Sequence, residues 1–155
     1  MAKIGENDYR EGARARIVES AQLFRGDKFA GSVYLAGRAV ECMFRGLIWK
    51  PGQVMETGHD LKKLLAQVGK LGLLYDCDGR THDEIGDLRS LVDVVANRWF
   101  NNMRFVSDRW VESYWRAKNV VTKRRTFKWA VSEFCDVCSM IVARCEVLYG
   151  KADKT

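Results

Sequence analysis

The sequence holds a single proline, Pro51, in 155 residues. Proline inside a helix removes a backbone donor and clashes with the preceding turn, so near-absence of proline favours a helical chain. No apolar run approaches the roughly 18 residues a membrane span needs. The opening "MAKIGENDYR" brings acids early and lacks the apolar region of a secretory signal, so a cytoplasmic protein with no membrane association is expected. Paired cysteines are lacking too. Cys42, Cys77, Cys135, Cys138 and Cys145 are odd in number and irregular in spacing, unlike a secreted disulfide framework. Cys135 and Cys138 form one CxxC, but no second Cys or His pair completes a structural zinc site. A redox reading would need a βαβ context that is also missing. The helical spacing of Cys135, Cys138 and Cys145 points to buried packing, and no metal or cofactor is expected. There is no alternating strand pattern, internal repeat, low-complexity tract or linker. The chain reads as one domain over residues 1–155, long enough for a core without staples. Its 47% hydrophobic and 30% charged residues are an ordinary globular balance.

What is present is helical periodicity. Ala13, Ile17, Ala21 and Phe24 repeat at spacings of four and three, predicting a helix over about 7–25. "RGDK" at 25–28 is a turn. Phe29, Val33, Ala36, Val40, Met43 and Leu47 give a continuous apolar stripe over about 28–49, ended by "KPG" at 50–52. A third helix starts between Thr57 and Asp60, with Leu61, Leu64, Leu65 and Val68 inward, and Gly69 and Gly72 close it. "THDE" at 81–84 matches a capping box in which Thr81 and Glu84 satisfy backbone donors reciprocally. Ile85, Leu88, Val92, Val95 and Trp99 follow at helical spacing, so "RWFNNMRF" at 98–105 reads as the C-terminal end of that helix. A short helix over about 107–118 carries Trp110, Tyr114 and Trp115. The last, over about 124–149, places Phe127, Val131, Phe134, Cys138, Ile141, Cys145 and Leu148 in strict heptads, with Gly150 as a C-terminal cap. That heptad also suggests self-association. An all-α fold, an antiparallel up-and-down helical bundle, is expected.

The net charge of +6 is not evenly spread. Arg98, Arg104, Arg109, Arg116, Lys118, Lys123, Arg124, Arg125 and Lys128 face only Asp108 and Glu112, so residues 98–128 carry +7 and everything else sums to −1. The same stretch holds Trp99, Trp110, Tyr114 and Trp115, and Trp129 follows it. Clustered cations with interleaved aromatics suit phosphates and stacked bases. A solvated corner whose aromatics belong to the core is the alternative. Arg98, Arg104, Arg109, Arg116, Lys123, Arg124 and Arg125 are the candidate polyanion-binding residues.

Two segments together resemble the HEPN-domain family. In "AQLFRGDKFAGSVYLAGRAVECMFRGLI" (21–48), Ala21, Leu23, Phe29, Ala36, Ala39, Glu41 and Arg45 stand where that family's first helical hairpin has its signature residues. "TGHDLKKLL" (57–65) resembles the next feature, a His-Asp-Leu opening a helix, and "MRF" at 103–105 sits where many members have Arg-Tyr. The resemblance runs from about 13 to 148. It implies a four- or five-helix up-and-down bundle, often a homodimer. Many members are metal-independent RNA endonucleases. Others bind nucleotides or partner proteins, beside nucleotidyltransferases or in defence and toxin–antitoxin systems. The nuclease members carry Arg, four to six residues, then His as general base with a cationic stabiliser. After Arg98 that spacing lands on Met103, Arg104 and Phe105. Methionine takes up no proton near neutral pH, and Arg104 stays charged.

The resemblance therefore implies a binding or interaction module without RNase chemistry, engaging nucleic acid, a nucleotide or a protein. A divergent nuclease using Arg98, Asn101, Asn102 and Arg104, or a structural adaptor, are the alternatives. Three further residues stand at signature positions. His59 and Asp60 read as a helix cap, Asp60 being favoured near the positive helix end. Glu41 lies three after Arg38 and four before Arg45, an intrahelical charge ladder, or else a buried group that fixes a helix contact or a ligand.

Overall fold

A computed structural model of the chain describes residues 3–52, 58–70 and 83–152. The elements run α1 (Glu6–Arg25), α2 (Phe29–Ile48), α3 (Leu61–Lys70), α4 (Asp83–Arg98), a 3-10 turn (Asn101–Phe105), α5 (Asp108–Ala117) and α6 (Phe127–Ala152). The protein is all-helical, and no strand occurs among the described residues. No helix of the described residues is long and apolar enough to cross a membrane. Cys77, His82, Gly72 and the Thr81–Glu84 cap lie outside the described residues or side chains.

The centre of the molecule is α2. Thirteen of its 20 residues are buried, far more than one stripe of an amphipathic helix requires. Helices α1, α3, α5 and α6 and the 3-10 turn all pack against it. Its two buried glycines make this possible. The Trp99 indole lies against Gly37 and the Tyr149 hydroxyl against Gly46, each where a Cβ would stand. Trp99 Nε1 donates to the Tyr34 carbonyl at 3.2 Å and Tyr149 Oη to the Met43 carbonyl at 3.3 Å, so both polar ends are satisfied inside the core.

The turn between α1 and α2 is tight. The Gly26 and Lys28 amides return to the Gln22 and Leu23 carbonyls, and Asp27 takes a left-handed φ of 56°, a conformation Asp tolerates better than most residues. Farther along, Ser20 and Ser32 clasp the hairpin, each hydroxyl donating to the other's carbonyl at 2.8–2.9 Å. Cys135 Sγ of α6 sits 3.3 Å from Ser32 Oγ. At the other end Glu146 accepts from Arg10 and Arg14 at 2.8–3.0 Å. Helices α1 and α6 are thus antiparallel. Burial pushes the Glu146 carboxyl up, but the Arg14 and Arg10 hydrogen bonds outweigh it and hold the group below its ordinary range.

The heptad residues Val131, Phe134, Cys138, Ile141, Cys145 and Leu148 of α6 are buried within the chain's own core. Two expectations need correction. Gly150 does not cap α6, which continues to Ala152. "RWFNNMRF" is not one helix end. Helix α4 stops at Arg98, Phe100 is extended, and residues 101–105 form a separate 3-10 turn. The reason lies in α5. The Arg98 carbonyl accepts from Trp115 Nε1 at 3.1 Å and the Asn97 carbonyl from Lys118 Nζ. Those carbonyls would otherwise take the amides of residues 102 and 101 in a longer helix. The chain is released to bury Trp99 and Met103 in the core.

All four described cysteines are free thiols. Cys138 and Cys145 are fully buried, and burial pushes both thiols up. Because Trp99 fills the site of any Cβ at position 37, Gly37→Ala should lower the unfolding free energy by about 2 kcal/mol in urea titration, the usual scale of overpacking. In a Trp99→Phe background the same change should cost less, a coupling that a double-mutant cycle measures.

Candidate functional site

Two constellations stand out. The first is a carboxylate buried in α2. Glu41 has no exposed surface, and leaving an ion there unpaired would cost several kcal/mol. Both oxygens are engaged. Oε2 accepts from Arg38 at 2.6 Å, while Oε1 takes Arg45 Nε and His59 Nδ1, each at 2.8 Å. Arg45 also donates to the Gly58 carbonyl at 2.7 Å. Asp60 then caps α3, its Oδ1 accepting from the Lys62 and Lys63 amides at 3.0 and 3.2 Å. The i±3/4 ladder is therefore present, but it is buried and reaches across to the segment that starts α3. Glu41, His59 and Asp60 form a tether between two helices.

The second constellation is the corner made by the 3-10 turn, α5 and the loop into α6. Arg104, Arg109, Arg116, Lys118, Lys123, Arg124 and Arg125 are all exposed there. Of the two acids of the stretch, only Glu112 pairs with a member of the cluster. Asp108 faces inward and caps α2, its carboxylate accepting from the Phe29 and Ala30 amides at 3.3 and 2.7 Å. Glu112 pairs with Arg116 at 2.8 Å. Among the described residues no ion pair involves Arg104, Arg109, Lys123, Arg124 or Arg125. The last three sit in a turn fixed by Thr122, whose hydroxyl accepts from the Arg124 and Arg125 amides.

Arg98 stands apart from the other candidates. Its side chain is only 15% exposed and lies 3.6 Å from Glu133 of α6. Asn101 is half-buried, whereas Asn102 and Arg104 are exposed. Of the aromatics, Trp99 and Trp115 belong to the core, while Trp110 and Trp129 are 41% and 50% exposed. Lys118 contributes to the local charge but is not among the candidates that sequence reasoning selects. It lines a cleft of about 460 Å³ with Arg98, Asn97 and Asp93. Its place among the nine basic residues of 98–128 marked its charge, and its position four after Tyr114 marked its place on α5's face. Among the described residues no group of three or more His, Cys, Asp or Glu could hold a metal ion.

No family model matches the chain, and no curated protein matches it. Among solved structures, the crystal structure of TT1696 from Thermus thermophilus has a similar fold, with a TM-score of 0.55 at 18% identity over 92% of this chain and 97% of that chain.

The tether yields a direct expectation. Glu41→Gln leaves Arg38 and Arg45 without their anion, and Arg45 is only 14% exposed. The variant should lose about 3 kcal/mol of unfolding free energy by denaturant titration, the low end for a broken buried pair. His59→Ala should cost less than about 1 kcal/mol, because His59 is 44% exposed.

Proposed function

We propose that the chain is a HEPN-like helical bundle that binds nucleic acid and does not cleave it. The observation that carries this reading is that Arg104, Arg109 and Lys123–Arg125 are exposed with no ion pair to any of them among the described residues, while Asp108 caps α2. Arginine suits the task, since its planar fork meets phosphate oxygens bidentately and stacks on rings. The resemblance around Glu41, Arg45 and His59 supports the family assignment, and the buried tether gives those signature positions a structural role. The position a nuclease would fill with histidine is taken by Met103, which is buried in the core.

Phosphate binding releases counterions and so weakens steeply with salt. The triple variant Lys123→Ser, Arg124→Ser, Arg125→Ser should flatten the salt dependence of RNA binding by about 1 in slope for each phosphate no longer held, with an almost unchanged melting temperature. A parent that does not bind at low salt, or a triple variant that binds as the parent does, would overturn the reading.

Purified protein incubated with a defined RNA and EDTA should leave it intact. Cleavage abolished by Arg98→Ala and Arg104→Ala would instead establish the divergent nuclease.

A further inference from the structure

Half-buried Tyr114 and exposed Trp110 of the corner are ordered into a column. On α5, Trp110 and Tyr114 stack with centroids 5.0 Å apart and planes 21° from parallel. Lys118 Nζ covers the Tyr114 ring at 4.8 Å. Phe100 is 5.8 Å from both rings and nearly perpendicular to each. Equal distances place Phe100 beside the pair, buttressing the ring edges, and not on its end. The column therefore runs Lys118, Tyr114, Trp110 in steps of one helical turn. Lys118 closes one end, and Trp110, 41% exposed, stands at the other. The Trp110 amide is held by Ser107 Oγ at 3.2 Å, and the 3-10 turn just before α5 brings Arg104 over Phe105, a ring 75% exposed.

A pre-ordered stack ending in a solvent-facing indole, in the same corner as Arg104 and Arg109, which make no ion pair among the described residues, matches one ligand chemistry above others: a flat base on a polyanionic backbone. Bases within a duplex are already stacked on one another and present only their edges, whereas an unpaired base offers a π-face. We propose that the corner selects single-stranded nucleic acid, with an unpaired base stacking on Trp110 and the flanking phosphates held by Arg104 and Arg109. This inference rests on the nucleic-acid reading above and adds the form of the ligand. Stacking contributes affinity without releasing counterions, so its signature separates from that of the cations.

Fluorescence anisotropy with a labelled oligouridylate, a labelled oligothymidylate and an RNA duplex of equal length tests this. The parent should bind the single strands more tightly than the duplex. Trp110→Ala should weaken single-strand binding about 5- to 150-fold, the contribution of one stacked base, with the salt slope unchanged. Trp110→Phe, which keeps a ring face, should retain most of the affinity, and this variant guards against loss of folding as the cause. Arg109→Gln should reduce the salt slope by about 1 and keep the single-strand preference. Equal binding of duplex and single strand, or parental affinity in Trp110→Ala, overturns the stacking site and leaves the cationic reading standing. No binding of any probe at low salt overturns both. Tighter binding to either the uridylate or the thymidylate decides between RNA and DNA within the same proposal.

Discussion

The helix against which the bundle packs carries a carboxyl group on its buried face, paired with two arginines of the same helix. Glu41 is enclosed in α2, and a carboxylate there is tolerable only when its oxygens are occupied by charged donors. Meeting that condition arranges what surrounds it. Arg38 and Arg45 lie along α2 on the same side, and His59 comes in from another segment as a further partner of the oxygen that Arg45 already holds. The chain between Gly58 and Asp60 is thereby fixed against α2, and Asp60 is set to start α3.

Much of this was legible in the sequence because it is local. The apolar stripes of α1, α2, α3 and α5 set helix limits within a few residues of those found, since 3.6-residue periodicity depends only on neighbours. The Arg38–Glu41–Arg45 spacing was equally readable. Burial of Glu41 was one of two readings left open, because local spacing cannot show the His59 contact 18 residues away. The end of α4 was misplaced for a similar reason. Nothing within "RWFNNMRF" stops a helix, and the stop comes from Trp115 and Lys118 taking carbonyls of the last turn. The α6 heptad is ambiguous in another way. A seven-residue repeat fits a helix facing its own chain as well as one facing a second chain, and here α1, α2 and α4 fill that face.

The candidate corner was half legible. Its charge was visible by counting, and the exposure of Arg104, Arg109 and Lys123–Arg125 fits that count. The inward turn of Asp108 was invisible, because its partners lie 78 and 79 residues earlier. That contact makes the corner part of the bundle's frame. One of the two acids of the basic stretch thus caps the first turn of α2, so α5 and its aromatic column are anchored to the central helix.

The buried thiols of α6 have a different consequence. Alkylating and oxidising reagents attack the thiolate, and Cys138 and Cys145 are both enclosed and held toward their protonated form. Each reacts only when α6 parts from its neighbours, so its rate of modification reads the frequency of that opening. The core thus contains its own clock for local breathing, at two places about one and about three turns along α6 from the Cys135 clasp, with no label added and no residue changed.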